Sequence, residues 1–356
     1  MAHLAVPQAG PDNVAMLGIG AYRPKRLISN DELCSTTLDS SDAWIYERSG
    51  IRNRRWISGD ETNRLMSATA GERAIRNSGI DRAEIDAVIL ATNTWPTLTP
   101  HGAPTIATDL GINGVTAFDL VSGCGGFCYG VGLASAMIRS GSARTVLLIG
   151  SETMSLSLDK SDRGTAFLFG DGAGAVVIGP SEDNGISPTV WGSDGESAHA
   201  IRQTPDIAEY MDRAVAMQHV DPAVEPVGRM TLTMAGQAVF RWAAITLPKA
   251  LSGALDAAGL KTEDVEVFVP HQANARINEL MRKHLGFADD LPMAGDIENT
   301  GNTSAASIPL AIEEMLATGK AKAGQTALIL GFGAGLSYAA QVATLPPAPR
   351  ITSFDE

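Results

Sequence analysis

Two stretches of this chain, residues 64–93 and 244–273, carry the same succession of signals at an offset of 180 residues. In the first, a helical run reaches Ser78-Gly79-Ile80, the charged turn DRAEI follows, and Asp86-Ala-Val-Ile-Leu-Ala reads as a buried strand. In the second, Ala258-Gly259-Leu260 leads through KTEDV to Glu266-Val-Phe-Val. Gly79 and Gly259 stand where a helix must stop and the chain turn back, a place that favours a residue tolerating positive φ. Further on, Cys124 opens a helix that closes near Gly141 and feeds RTVLLIGSE. Asn302-Thr303-Ser304 opens one that closes near Gly319 and feeds QTALILGFG, at an offset of 180 to 181.

Alternating strands and helices in each copy predict an α/β protein with a mostly parallel, buried sheet and helices on its faces. Two such units pack about a pseudo-twofold axis, and a division near Pro180 gives halves 1–180 and 181–356. Residues 181–230 are richer in polar and turn residues and have no twin, so they are expected to cover or extend the core. At 356 residues, 44% hydrophobic and 19% charged, the chain has the balance of an ordinary globular protein near the upper size of a single core. Its 27 Lys and Arg against 40 Asp and Glu leave a net charge of -13, which excludes a nonspecific binder of nucleic acid or anionic lipid. The three cysteines, Cys34, Cys124 and Cys128, read as reduced thiols of a cytoplasmic protein. The start has no basic n-region followed by a long apolar stretch, and runs such as TVLLIG and AVVIG are only strand-sized. Neither secretion nor membrane spanning is expected.

Reacting groups in open α/β sheets gather at the carboxyl ends of strands, which directs attention to helix starts. Cys124 lies there, between TAFDLV and a helix whose N-terminal N–H groups and dipole favour a thiolate, so its pKa is expected below the free value of about 8.5. A small buried thiol in a Gly-rich turn is the alternative. Cys128, four residues on, and Cys34 read as core. Among the histidines, His3 lies in a tail, His101, His199 and His219 in loops, and His284 on a polar helix face. His271 differs, because it follows the apolar strand VFVP directly and so sits at a strand end in the second half. Asn302 opens the repeat partner of the Cys124 helix, where an ordinary N-cap is the plain alternative. Symmetry brings Cys124, His271 and Asn302 towards one crevice. The turn Gly331-Phe332-Gly333-Ala334-Gly335 could offer N–H donors to an oxyanion, or be only a hairpin turn. FGDGAGA at 169–175 reads as a tight strand-turn element. With no Walker, HExxH or CxxC pattern, nothing suggests a nucleotide hydrolase, a metal site or hydride transfer.

Seven spaced motifs then carry a resemblance from about residue 14 to residue 346: DSSDAWIYERSGIRNRRW, FDLVSGCGGF, DRGTAFLFGDGAGAVV, GQAVFRWA, VPHQANARI, GNTSAASIPLA and GFGAGLSYAA. The chain resembles the thiolase-fold condensing enzymes, specifically β-ketoacyl-acyl carrier protein synthase III, and within it the actinobacterial form. The resemblance implies a thiolase-like fold, two duplicated α/β halves packed as a layered αβαβα core. It implies that Cys124 accepts the acyl group from an acyl-CoA, and that His271 and Asn302 bind the thioester carbonyl of malonyl-acyl carrier protein and promote its decarboxylation. The backbone N–H groups of Cys124 and Ala334 would form the oxyanion hole. Trp44 and Arg48 match positions at the adenine end of coenzyme A, with Arg163 nearby, and Gly236 and Asn274 belong to the coenzyme A and pantetheine site. Thr99 aligns with an acyl-pocket gate contributed across a dimer interface, where a small residue hints at a longer or branched chain; Phe332 belongs to the same pocket. Arg241 and Arg276, with Arg282 and Lys283, are candidates for carrier-protein docking. No cofactor is implied beyond coenzyme A thioesters as substrates, and a homodimer is. Gly125 and Ala334 depart from the family's more frequent residues at those points.

Related activities fit less well. A thiolase needs a second cysteine in the carboxyl half, and none follows Cys128. Hydroxymethylglutaryl-CoA synthase needs a glutamate around residues 93–99, which this chain lacks. Chalcone-synthase-like enzymes usually carry a proline that GFGAG lacks. A relative that primes a polyketide, or acylates an alcohol or amine, is the main rival. An inactive partner subunit would be marked by loss of Cys124.

Overall fold

A computed structural model describes residues 9–218 and 228–354; His3 and His219 lie outside the described residues. Up to Pro180 the chain runs β1 (Val14–Tyr22), β2 (Arg26–Ser29), α1 (Asn30–Thr36), α2 (Asp42–Ser49), β3 (Asn53–Trp56), α3 (Asn63–Ser78), β4 (Ala87–Ala91), α4 (Gly102–Asp109), β5 (Thr116–Leu120), α5 (Gly126–Arg139), β6 (Val146–Thr153) and β7 (Asp171–Pro180). Beyond it come β8 (Val190–Ser193), β9 (Ile201–Thr204), α6 (Ile207–Gln218), β10 (Thr231–Met234), α7 (Gly236–Ala258), β11 (Val267–Pro270), α8 (Ala275–His284), α9 (Ile297–Thr300), α10 (Ser307–Thr318), β12 (Thr326–Gly333) and β13 (Ser337–Thr344).

Two main sheets form among the described residues, in the orders β1-β7-β6-β4-β5 and β8-β13-β12-β11, beside the two-stranded ribbons β2-β3 and β9-β10. Matched strand for strand, β4 and β11 each receive a parallel neighbour, β6 and β12, which then turn back antiparallel into β7 and β13. The fifth strand shrinks in the second sheet to an isolated bridge between Phe268 and Met293. The sheets are therefore mixed and not mostly parallel. The outer strands pair antiparallel because each hairpin, such as the turn between β12 and β13, returns the chain with no crossover helix.

Five layers follow from which faces are apolar. On β6 every residue is buried, with Val146 and Leu148 facing one core and Leu147 and Ile149 another. Such a strand shows no alternation, since both of its faces are covered. Helices α3 and α4 cover the outer face of the first sheet, and α7 covers that of the second with α8. Between the sheets lie α5 and α10, packed into a core that draws on both. Close approach there needs glycine: a Cβ on Gly174 would stand 2.7 Å from the Cβ of Pro309, and one on Gly130 2.4 Å from a Leu148 methyl. The strand-turn element FGDGAGA is thus largely strand from Asp171 onward, with its glycines admitting α10. Gly79 and Gly259 do end α3 and α7 in the left-handed region, at φ 71° and 68°.

The segment without a twin does two things. Strand β8 adds an edge to the second sheet, and the β9–β10 ribbon roofs the cavity described next. Among the described residues no helix is long and apolar enough to cross a membrane.

Candidate active site

The N-termini of the two central helices meet at one cavity of about 740 Å³, lined by Cys124, His271 and Asn302 together with Phe332, Gly333 and Ala334. Each helix is preceded by a 3-10 turn, Gly123–Gly125 before α5 and Ser304–Ala306 before α10. Neither helix has a side-chain cap bond at its start. The leading N–H of each helix, on Gly126 and Ser307, is instead taken by a carbonyl of the preceding turn, Gly123 and Ser304; the positive ends of the two helix dipoles remain at the cavity.

Cys124 sits in the turn before α5, partly open to the cavity. A Cβ on Gly333 would lie 2.7 Å from the Cys124 nitrogen and 3.1 Å from its sulfur, and one on Gly123, at φ 55°, would lie 2.8 Å from the Ala334 nitrogen. Two missing side chains thus let the β12–β13 turn lie against the nucleophile turn, with both backbone nitrogens at the junction. The expected low pKa is not found. Burial pushes the Cys124 thiol up to about 12, and the nearby Glu152 carboxyl adds to the rise, against a lowering contribution from the Ser304 hydroxyl. The sequence reading weighed the helix N-terminus and could not weigh enclosure; desolvation of the charged form wins.

His271 is 1% exposed and has its ring edge on Phe332, with centroids 5.2 Å apart. Burial holds its pKa down to about 3, so the imidazole is neutral at physiological pH. Its Nδ1 lies 2.6 Å from Ser307 Oγ, and that same oxygen accepts the Gln272 N–H at 3.4 Å. Ser307 can donate its own proton to Nδ1 at this distance, and the tautomer that accepts it carries its hydrogen on Nε2. Asn302 is also buried, and its Oδ1 accepts from Ser304 N–H at 2.8 Å. That bond orients the amide, and Nδ2 has no acceptor among the described residues. The backbone of Asn302 is clamped to the first half: its N–H donates to Leu168 O at 2.7 Å, and its carbonyl accepts from Gly170 N–H at 3.0 Å.

Glu152, at the carboxyl end of β6, was missed in the sequence. It is fully buried and accepts from Asn93 Nδ2 at 2.8 Å, Thr94 Oγ1 at 2.6 Å and Ser304 Oγ at 3.0 Å. Its signal was an acidic residue closing the wholly apolar run VLLIG at a strand end, the same rule that singled out His271. Residues 93–99 hold no glutamate of their own, but Glu152 reaches Asn93 and Thr94 from the neighbouring strand.

At the mouth, Arg48 lies over the Trp44 ring at 4.3 Å and Arg163 over the same ring at 4.8 Å. Trp44 packs edge-on against Phe167. Arg48 lines the cavity, as do Gly236, Asn274 and Arg276; Trp44 and Arg163 stand behind that lining. Asn274 caps α8 through Arg276 N–H at 2.9 Å and donates to the Arg48 carbonyl at 3.0 Å, tying α8 to α2. Thr99 lies on an exposed loop and does not line its own chain's cavity. Arg241 and Arg276 are exposed without an ion-pair partner among the described residues. Arg282 is held by Glu279 at 2.7 Å and Asp289 at 2.7 Å, and Lys283 shares Glu279 at 3.4 Å. No group of three or more His, Cys, Asp or Glu suited to a metal ion occurs among the described residues.

Comparison with known proteins bears on the same elements. Residues 118–195 match the family model 3-oxoacyl-[acyl-carrier-protein] synthase III, and residues 255–345 match that of its C-terminal part. The chain is 53% identical over 340 residues to the β-ketoacyl-[acyl-carrier-protein] synthase III of Mycobacteroides abscessus, covering 96% of this chain and 97% of that one. It is 50% identical to the mycobacterial β-ketoacyl-[acyl-carrier-protein] synthase III of Mycobacterium avium, over 95% and 98% of the two. The priming β-ketosynthase of the R1128 polyketide pathway superimposes with a TM-score of 0.91 at 41% identity, covering 98% of this chain and all of that one. The 3-oxoacyl-[acyl-carrier-protein] synthase III of Aquifex aeolicus does so at 0.83 and 34%, over 94% of this chain and all of that one. A thiolase-like layered fold with this likeness along nearly its whole length means that the chain belongs to the β-ketoacyl-acyl carrier protein synthase III family and is an acyl-transferring condensing enzyme.

Proposed function

We propose that this protein starts fatty acid synthesis by condensing an acyl-CoA with malonyl-acyl carrier protein. The observation that carries the reading is a thiol, a neutral imidazole and an amide with an unclaimed N–H donor opening into one cavity. Cys124 attacks the acyl-CoA carbonyl, the tetrahedral oxyanion rests on the N–H groups of Cys124 and Ala334, and coenzyme A leaves. Malonyl-acyl carrier protein enters next. The Nε2–H of His271 and Nδ2–H of Asn302 donate to its thioester oxygen, so that loss of carbon dioxide leaves a stabilised enolate. Only a neutral imidazole retains this role without adding charge to the cavity. The enolate carbon attacks the acyl-Cys124 thioester, giving a 3-ketoacyl-acyl carrier protein. Every bond change balances without a redox or metal cofactor, so none is assigned.

The Arg48–Trp44–Arg163 stack suits the nucleotide end of coenzyme A, with Gly236 and Asn274 along the pantetheine path. Arg241 and Arg276 are assigned to the acidic carrier protein, and Thr99 and Phe332 to the acyl pocket, Thr99 acting in a partner copy. A homodimer is supported by β5, the edge of the five-stranded sheet, whose residues are all at least partly exposed and lead into Val121, 73% exposed. An uncovered, partly apolar edge invites a second strand. We take the chain as halves 1–180 and 181–356, and place it in the cytoplasm on its three free cysteines.

Incubation with a panel of acyl-CoAs should add one acyl mass to the Cys124 peptide and none to Cys124→Ala. An adduct that persists in Cys124→Ala refutes the assignment. The likeness to the R1128 priming ketosynthase favours, as a second reading, a chain that primes a polyketide. Preference among carrier proteins from the two kinds of pathway distinguishes these readings.

A further inference from the structure

On the reading of Asn302 as a donor to the malonyl thioester, the backbone that carries it must be held still. Two bonds join Asn302 to the strap of residues 167–170: its N–H donates to Leu168 O at 2.7 Å, and its carbonyl accepts from Gly170 N–H at 3.0 Å. The alternate carbonyls of the strap are taken by side chains of β3. Phe167 O accepts from Arg54 Nη2 at 2.9 Å, and Phe169 O accepts from Trp56 Nε1 at 3.0 Å. We propose that Arg54 is a positioning residue for decarboxylation: it fixes the strap, and the strap fixes Asn302.

Three observations support this role. Arg54 is 0% exposed, yet it has no ion-pair partner among the described residues, and its Nε has no acceptor. Burial lowers its pKa to about 10, which still leaves the guanidinium charged at neutral pH. Burying a charge without a counter-ion is costly, and an apolar residue of similar size would avoid that cost. What the guanidinium supplies is a rigid fork. Its Nη1 donates to Ile28 O at 3.2 Å, and its Nη2 donates to Asn30 Oδ1 at 2.6 Å as well as to Phe167 O, so one side chain ties three segments together. The Asp42 carboxylate is reached only through the Asn30 amide, whose Nδ2 donates to it at 2.8 Å.

The second observation is contact along the stem. A Cβ on Gly170 would stand 3.4 Å from the Arg54 Cβ, and one on Gly301, the residue before Asn302, 3.1 Å from it. Glycine at both points lets β3 lie against the two segments that meet at Asn302. Third, β3 also holds the approach to Asn302, because Arg52 N–H donates to Glu298 O in α9 at 2.9 Å. Phe167, Leu168 and Phe169 line the cavity as well, so a test must separate misplacement of Asn302 from a change in cavity shape.

Two steps are measured apart: acylation of Cys124 by a saturating acyl-CoA, followed by intact mass, and release of carbon dioxide from malonyl-acyl carrier protein by the acylated enzyme. In Arg54→Gln the rate of release at saturating carrier protein should fall by about 10-fold or more, while its KM and the acylation rate stay within about 2-fold. In an Asn302→Ala background the same substitution should slow release no further, because the group it positions is gone. Unchanged release in Arg54→Gln overturns the proposal. So does a further loss on top of Asn302→Ala, which marks an effect of cavity shape, and so does an equal fall in acylation, which marks a purely structural role. If Arg54→Gln does not fold, Arg54→Lys, which keeps the charge and loses the planar fork, decides by the same criteria. Undiminished release in Asn302→Ala alone would refute the reading of Asn302 and the proposal with it, whereas a loss there beside normal release in Arg54→Gln refutes the proposal alone.

Discussion

Gly333 sets the distance between the nucleophile and the β12–β13 turn, and Gly333→Ala tests whether that distance is needed for the chemistry. A methyl there would stand 2.7 Å from the Cys124 nitrogen, 2.8 Å from its Cβ and 3.1 Å from its sulfur. Ordinary contact begins at 3.4 Å, so the turn and the Cys124 segment must part by about 0.7 Å. The parts pushed aside are backbone on one side and the adjoining Ala334 nitrogen on the other, so no flexible side chain can absorb the shift. Misplacement of roughly 1 Å costs about 10²-fold in rate when reacting groups are preorganised. Overpacking of this kind costs about 1–3 kcal/mol in stability. Acylation by acyl-CoA, followed by stopped-flow release of coenzyme A, should therefore slow by about 10²-fold, while urea unfolding shows the modest stability loss. Gly295→Ala, with no neighbour within 4 Å of the new methyl, is the control and should change neither. A Gly333→Ala enzyme that acylates at the unaltered rate would show that the junction is not under constraint, and the geometric argument for the oxyanion site would fall with it.

His271→Ala should keep acylation and lose about 10²–10³-fold in carbon dioxide release from malonyl-acyl carrier protein, the usual cost of an oxyanion donor; undiminished release removes it from that role. Ser307→Ala, which lets the imidazole tautomer drift, should reduce the same step by a smaller factor and leave acylation alone. In acid, the pKa of His271 lies near 3 when folded and 6.5 when free, so the unfolded chain binds the extra proton. Its contribution to stability is whole above pH 6.5 and is lost as pH falls towards 3. Asp171, pushed up to about 6 by burial, contributes with the opposite sign between pH 3.8 and 6. The comparison is thus made against His271→Asn, whose urea midpoint should fall less steeply across that window; parallel slopes refute it. Arg48→Ala should raise the KM for acyl-CoA a few-fold, from a cation–π and phosphate contact worth about 1 kcal/mol, and its effect should overlap with that of Trp44→Ala. Arg276→Glu should raise the KM for the carrier protein in a salt-dependent manner, whereas Arg282→Ala should lower stability and leave that KM unmoved, because Glu279 and Asp289 already hold its guanidinium.

Much of this arrangement was legible in the sequence because it repeats. A strand that ends and a helix that begins at matched places in two copies must converge once the copies pack face to face, and that alone brings Cys124, His271 and Asn302 to one cavity. Glycines at 79 and 259 marked helix ends correctly because left-handed backbone is a local property. Other features are not local. The sheets read as mostly parallel because alternating elements suggest crossovers, yet β7 and β13 return as hairpins, and strand direction is settled by partners far apart in the chain. FGDGAGA reads as a tight strand-turn element; its strand part is β7, and the sequence does not show that its glycines give room for α10.

The chain by itself therefore determined the duplicated architecture and the places where reacting side chains emerge, since these follow from periodicity and residue type along the chain, while its motifs carried the resemblance to the family. Only the tertiary structure decided their chemical states. Enclosure keeps Cys124 a thiol and His271 neutral, Glu279 and Asp289 occupy Arg282, and Ser304 donates to a glutamate on another strand. Desolvation and pairing depend on which atoms surround a group, and those neighbours are drawn from both halves of the fold.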